Sequence, residues 1–265
     1  MLALQRQREI LKIIEQVGAV KVTDLAGRFD VTEETIRRDL TMLEKAGRVT
    51  RSHGGAVIAQ SERHEVPHGQ REITNKAEKI RIAEEALKRV EKGDTILLDA
   101  SSSALFLAQL LPDIPCTVVT NSILTAQTLA EHRHVRVICT GGVFTPLSMS
   151  FLGLLAEKNL REYHVNKLFF SCRGVDLERG LSDSGDATAQ IKQQMLKIAD
   201  ERILLVDNSK FNVRALSTIS DIRAVTDVIT DPATDKGICE SIRKLGVQVT
   251  RTGNIEEDAS TRIAT

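Results

Sequence analysis

Two adjacent arginines, Arg37 and Arg38, stand near the start of a stretch in which Ile36, Leu40 and Leu43 recur at helical spacing. At about 100° per residue, turning those three inward puts Glu34, Arg38, Thr41 and Lys45 on the outward stripe, with Thr35 and Arg37 on its flanks. A guanidinium fork in that position has two uses on a double helix. It bonds a guanine edge through parallel N–H groups, or it neutralises a phosphate. Thr32 is placed to cap this helix, and Arg48, Arg51 and His53 frame the glycine turn that follows, each within reach of phosphate or the minor groove.

A second set of residues suits a different chemistry. Asp99 ends an apolar run and leads into Ser101, Ser102 and Ser103. Later runs end in Thr120-Asn121, in Gly141-Gly142, in Ser171 with Gly174 beyond, and in Asp207-Asn208-Ser209-Lys210. Hydroxyls and free N–H groups at the start of a helix attract anions. Lys210 adds a point charge for a phosphate, while Asp99 and Asn121 have the groups to bond sugar hydroxyls. Taken singly, each loop is as readily a helix cap or a turn. Five of them at the ends of neighbouring strands point to one binding site.

The elements that must carry these residues follow from periodicity. Ile10, Ile13, Ile14 and Val17 give one helix face ending at Gly18; Thr23 opens a short helix with Leu25, Ala26 and Phe29 inward; Asp30-Val31 turns the chain into the arginine-bearing helix. Residues 48–51 and 56–58 alternate as a hairpin about Ser52-His53-Gly54-Gly55. From 76 onward, short β-branched runs at 95–98, 117–119, 136–139, 167–171, 202–206, 225–230 and 248–250 alternate with helical stretches at 80–90, 105–111, 123–131, 187–199 and 234–245. That alternation implies an α/β fold with a parallel sheet covered on both faces. The expected division is a helix-turn-helix head at 1–58, a polar linker at 59–75, an α/β domain at 76–251 and a polar tail at 252–265.

Bulk properties narrow the function classes. Lys+Arg and Asp+Glu both number 36, so a small basic head would sit on an otherwise neutral body. With no Trp, one Tyr and 3% aromatic residues, the core has to be aliphatic. Cys116, Cys139, Cys172 and Cys239 are scattered and form no CxxC pair, which argues against disulfides and for a reducing compartment. No run is long and apolar enough for a membrane span, and the N-terminal residues lack a signal-peptide core, so a cytoplasmic protein is expected.

The run Val31-Thr32-Glu33-Glu34-Thr35-Ile36-Arg37-Arg38-Asp39-Leu40, continued by Leu43-Glu44, Gly47, Arg51 and His53-Gly54-Gly55-Ala56, closely resembles the DeoR-type winged helix-turn-helix over residues 3–58. The segments LLDAS, VVTNS, TGG, GLSD and LLVDNSKF, within 76–235, are similar to the sensor half of the same family. The resemblance implies a ribose-5-phosphate isomerase-like fold that recognises a phosphorylated sugar. It further implies a repressor of sugar uptake or catabolism genes that binds double-stranded operator DNA as a homodimer or homotetramer. One departure stands out: Ser101 occupies the place where the family usually has glycine, which implies lost freedom at positive φ and a side chain brought toward the ligand.

An enzyme is the competing reading, a sugar-phosphate isomerase with an accessory DNA-binding head, using Asp99, Asp183, Asp207, Lys192 and Lys210 as acid and base groups. No P-loop, dinucleotide, zincin or nucleophile-elbow motif accompanies them, so neither catalysis nor a cofactor is expected. Metal binding through His64 and His68, or through His132 and His134, is disfavoured because Pro67 breaks the helix that would align the first pair.

Overall fold

The computed structural model describes residues 3–17, 19–45, 49–52, 54–58 and 65–253, and the chain forms two compact units, Met1–His64 and Glu65–Thr265. In the first, helices α1 (Ala3–Val17), α2 (Val22–Phe29) and α3 (Glu33–Lys45) combine with strands β1 (Ala19–Lys21), β2 (Val49–Ser52) and β3 (Gly55–Ile58). Ile10, Ile14, Leu25, Ile36, Leu40, Leu43 and Val49 bury their side chains together. The inward faces inferred from helical spacing therefore form the small core of the head. The strands lie in the order β1-β3-β2, all antiparallel. β1 was not foreseen: three residues carry no usable period, and the strand exists because it pairs with β3 from Ala19↔Val57 to Lys21↔Gly55. Thr23 does not cap α2, which begins at Val22; its hydroxyl instead bonds Asp24 at 3.3 Å.

The wing explains its two glycines differently. Gly54 has φ +85°, a left-handed conformation that L side chains adopt only at a cost. Gly55 has no such torsion, but a Cβ there would run into the carbonyl of Val20 on the neighbouring strand. Gly55→Ala is accordingly expected to destabilise the head by about 1–3 kcal/mol through overpacking. The check is a melting curve of the head signal, which should shift down while the second unit melts as before.

The second unit opens with α4 (His68–Ile73) and α5 (Lys76–Leu87) and continues as β4 (Thr95–Leu98), α6 (Ser102–Leu110), β5 (Cys116–Thr120), α7 (Ile123–Thr128) and β6 (Val135–Cys139). A hairpin of β7 (Val143–Thr145) and β8 (Ser150–Leu152) leads to α8 (Leu154–Leu160) and β9 (Val165–Phe170). Then come β10 (Gly174–Asp176), β11 (Gly180–Asp183), α9 (Asp186–Lys197), β12 (Ala199–Leu205), β13 (Ser217–Ser220), β14 (Asp227–Thr230), α10 (Lys236–Lys244) and β15 (Gln248–Arg251).

Seven strands make one parallel sheet in the order β15-β14-β12-β9-β4-β5-β6. Side chains alternate across it, as strand geometry requires. Ile96, Leu98, Phe169, Ile203 and Ile229 face the layer that holds Ile82 and Ala86 of α5 and Leu107 of α6. Leu97, Leu168, Phe170, Leu204 and Val228 face Leu160 of α8, Met195 of α9 and Ile242 of α10. All seven sequence-derived strands are the strands of this sheet. The side sheet β10-β11-β13, the β7-β8 hairpin and α8 are additions with strands of three or four residues.

Two boundaries differ from expectation. The linker reading covered 59–75, yet 65–75 belongs to the second unit and contains α4. At the other end, the amide of Thr252 donates to the carbonyl of Thr230 at 2.9 Å, so chain pairing runs past Arg251; residues 254–265 lie outside the described residues.

Candidate functional site

On α3 the side chains divide into those that fix the helix and those that face outward. The Thr32 hydroxyl accepts from the Thr35 amide at 3.3 Å and lies 2.9 Å from the Thr35 hydroxyl, which is the expected N-cap. Asp39 is buried and taken by Arg6 at 2.6 Å and Gln7 at 2.9 Å, so it docks α3 onto α1 and leaves the arginines alone. Arg37 pairs with Glu33 at 2.5 Å and more loosely with Glu34 at 3.8 Å. Arg38 is exposed and has no ion-pair or hydrogen-bond partner among the described residues. Thr41 donates to the Arg37 carbonyl at 2.8 Å and accepts from the Arg51 guanidinium at 2.9 Å, while the Arg51 amide donates to Glu44 at 3.1 Å. The strand β2 and helix α3 are therefore laced together. Arg48, His53 and the side chain of Lys45 lie outside the described residues.

In the second unit, the strand-end residues separate into a rigid base and an unsatisfied rim. Asp99, 1% exposed, accepts from the amides of Ser101 at 3.1 Å and Ser171 at 3.3 Å. Lys192 of α9 lies 3.4 Å from Asp99, donates to Asp183 at 2.6 Å and donates to the Ser171 carbonyl at 2.6 Å. Burial alone would push Lys192 down, but Asp183 and Asp99 outweigh it and hold the ammonium well above the ordinary lysine value. Burial likewise works against the Asp183 carboxylate, and Lys192 together with the Ser184 amide overturns it, leaving that carboxyl below its usual range. Asp99 is thus engaged from several sides.

Ser101 settles the departure from the family loop. Its φ of −81° is ordinary, and its hydroxyl caps α6 by accepting from Ala104 at 3.1 Å. No positive torsion is called for at this position, so serine fits. Ser102 donates to the Arg71 carbonyl at 3.3 Å, and Ser103 is buried one residue on. Thr120 donates to the Leu98 carbonyl at 2.7 Å and accepts from the Ser122 amide, a role internal to the sheet end. Asn121 donates to the Phe151 carbonyl at 3.2 Å, while its Oδ1 is buried without a partner among the described residues. Gly141 and Gly142 have φ of +62° and +115°, and a Cβ on Gly142 would meet the Leu152 carbonyl at 2.7 Å. Gly174 serves close packing, since a Cβ there would run into the Val213 carbonyl.

The residues that sequence reading missed come from 65–75 and the helix after it. This strap is tied down along its length: the His68 amide bonds the Leu147 carbonyl at 2.8 Å, Lys79 donates to the carbonyls of Arg71 (2.5 Å) and Thr74 (2.7 Å), and Asn75 donates to Asp207 at 2.9 Å and to Ser209 at 3.2 Å. It delivers Arg71, whose Nε and Nη2 are buried with no partner among the described residues. Lys79 is pushed down to about 8 by burial first and then by Lys210, with Asp207 opposing. Lys210 is lowered by burial first, Asp207 opposing and Arg173 and Arg71 adding to the shift, and it makes no hydrogen bond or close ion pair among the described residues. His68, 2% exposed, is pushed down to about 4 by burial and by the charges of Arg71 and Lys79, so it is neutral at physiological pH; its Nε2 is also unpartnered.

Cations whose charges depress one another, with buried donors left unbonded, make a site suited to an anion, even with Asp207 facing both lysines and Glu65 and Asp183 facing Arg71. One signal was available in the sequence. Lys79 and Lys192 interrupt apolar helix stripes, Lys79 with Ile82, Ala83 and Ala86, and Lys192 with Ala189, Met195 and Leu196. A lysine on an inward face has to meet something specific there.

Comparison with known proteins agrees with both halves. The DeoR-like helix-turn-helix domain model matches residues 6–62, and the DeoR C terminal sensor domain model matches residues 74–232. A protein of Bacillus subtilis (strain 168) described as the HTH-type transcriptional regulator YulB is 44% identical over 94% of this chain and 97% of its own. The L-fucose operon activator of Haemophilus influenzae is 36% identical over 85% of this chain and 91% of its own. A putative aga operon transcriptional repressor of Escherichia coli O157:H7 is 32% identical over 94% of both. Among solved structures, ribose 5-phosphate isomerase A of Methanocaldococcus jannaschii is similar with a TM-score of 0.40 and 20% identity, over 52% of this chain and 55% of its own.

Proposed function

Because the chain belongs to the DeoR family of transcriptional regulators, we propose that it is a repressor that holds operator DNA through α3 and the wing and lets go when a phosphorylated sugar binds at the strand ends of its sensor unit. For DNA, the support is Arg38, exposed and uncommitted on the outward stripe of a helix whose inner face is fully used. Thr32, Glu34, Thr35, Arg37, Thr41, Lys45, Arg48, Arg51 and His53 complete the reading surface. A head this small has little area to contribute, so heads act in pairs, as a homodimer or homotetramer.

For the effector, the observation that carries the reading is the pair of buried guanidinium nitrogens of Arg71, Nε and Nη2, without a hydrogen-bond partner among the described residues, beside Lys210 and Lys79. A phosphate offers the bidentate partner a guanidinium fits, and the second charge that two lysines answer. Asn121 Oδ1 and the Ser101–Ser103 turn are left for sugar hydroxyls. Arg71 sits on the strap, a few residues after the segment 59–64 that leads from the head. A ligand that bonds Arg71 therefore acts on the chain that joins the two units, and it shifts them only if it binds one arrangement better than another.

Arg71→Ala and Lys210→Ala are each expected to leave operator affinity unchanged and to raise the effector concentration needed for release by at least about tenfold. A gel-shift titration with the sugar phosphate that most raises the melting temperature in a panel reads this. Release at unchanged concentration would remove the anion from the reading. The pH dependence is fixed in sign. The free Lys79 has its pKa near 8, and a bound anion raises it, so binding takes up a proton above that value. Effector affinity should hold between pH 7 and 8 and fall from pH 8 toward 10 in isothermal titration; affinity that rises over that interval contradicts the assignment. Deleting the gene should raise transcription of its targets, whereas a drop would make the protein an activator.

A further inference from the structure

From Val137 to Ala156 no side chain carries a charge, in a chain where 27% of residues do. The stretch holds β7, β8 and the first turn of α8, and much of it is uncovered. Val143 is 68% exposed, Phe144 40%, Leu147 41%, Leu154 62% and Leu155 64%. Val143 and Phe144 are consecutive strand residues and leave the hairpin on opposite faces: Val143 lies on the side of Gly153 and the start of α8, and Phe144 packs on Phe151 on the other. The hairpin register pairs Val143 with Leu152 and Phe144 with Phe151, the two phenyl rings lie 5.7 Å apart, and Val143 reaches the backbone at Gly153, the residue before Leu154.

We propose that this hairpin and the start of α8 form the surface through which two copies of the chain associate. Area is the first argument. Taking roughly 200 Å² for a large apolar residue, Val143, Leu154 and Leu155, at 68%, 62% and 64% exposure, leave on the order of 400 Å² of apolar surface in water on each copy, within the range of the largest patch on a monomer. With a polar rim, a pair of such faces buries about 1,000–1,600 Å² in total, the size of a stable interface. Charge is the second. An uncharged face meets its own copy without repulsion, and the rim just beyond, Lys158, Arg161 and Glu162, carries both signs, which a twofold axis can bring into register. The chain as a whole is formally neutral, so no net charge holds copies apart. The chain's own head is the poorer occupant: among its described residues Met42 is the one large hydrophobic side chain left strongly exposed.

The inference rests on the reading above only for the need to pair heads, and its test contains no DNA, so the two fail separately. Sedimentation of the full chain at micromolar concentration should give a dimer or a multiple of one. L154E/L155E places four like charges across the axis and should weaken self-association roughly 100-fold, with circular dichroism and melting temperature unchanged. A monomeric unaltered protein, or a variant of undiminished mass, overturns the proposal. Hydrogen exchange on the unaltered protein guards against a variant that fails to fold. Amides of 143–155 should exchange at least about tenfold more slowly in the assembled state than after dilution to monomer. Protection there that is absent, or that does not depend on concentration as it would under the chain's own head, also overturns it.

Discussion

Arg38→Ala should lower affinity for the operator by about 5- to 150-fold while leaving the melting temperature and the assembly state where they were. The range is that of one bidentate contact to a base, about 1–3 kcal/mol. Stability is expected to hold because Arg38 spends no bond on the fold, in contrast to Arg37, whose removal would also release Glu33 and Glu34 beside the phosphates. The Arg37 pairs are exposed and worth only a few tenths of a kcal/mol, so they do not lock that side chain away from DNA. Fluorescence anisotropy on the operator and on a scrambled duplex, at two salt concentrations, separates two uses of the side chain. A base contact costs affinity mainly on the operator; a phosphate contact costs both duplexes alike and lowers the salt slope by about one. Unchanged affinity on the operator would remove α3 from the groove.

The second large effect is on stability. Lys192→Met leaves Asp99 and Asp183 buried without the ammonium that both face. Breaking a buried ionic cluster by removing one member costs about 3–5 kcal/mol, and for a unit of this size the melting temperature should drop by roughly 6–20 °C. The acid dependence supplies an independent readout. In the unaltered protein the Asp183 carboxyl is held below its usual range, so its pairing contributes fully above about pH 4 and is lost as the pH falls below that. In the variant the sign reverses. Asp183, buried and left with only the charge of Arg71 and the Ser184 amide to oppose desolvation, gains a proton more readily than in the unfolded chain, so acidification from pH 7 toward 5 should stabilise it. A variant that melts as the parent does, with the parent's acid profile, would mean that Lys192 is solvated and the cluster is decorative.

The parallel sheet was legible because its strands are short apolar, β-branched runs, fully buried at the centre and only partly at the edge strands β6 and β15, and such runs stand out from the helical stretches between them. Their ends were less legible. The run at 117–119 extends to Cys116–Thr120 because β6 pairs along its whole length and β4 from Thr117 to Thr120, which no local property records. Strands of three residues, such as β7 and β8, show no period and form only where a partner waits. The arginine pair on α3 was readable from angle alone. Arg71 was not, since a cation in a polar stretch looks solvated until the tertiary structure buries two of its nitrogens. Asp99 was singled out correctly as a strand-end carboxylate, but its commitment to Lys192 depends on a helix almost a hundred residues later.

The bond from Arg51 to Thr41, and from Thr41 back to the Arg37 carbonyl, gives the head the character of a cast printing block. Its raised features keep their mutual spacing whatever happens elsewhere in the molecule. A metabolite that switches transcription therefore has no lettering to rewrite. On the proposed function, such a metabolite would act on whether two such blocks are held at the pitch of the groove, and inducer-blind mutants that still repress are then expected outside residues 3–58.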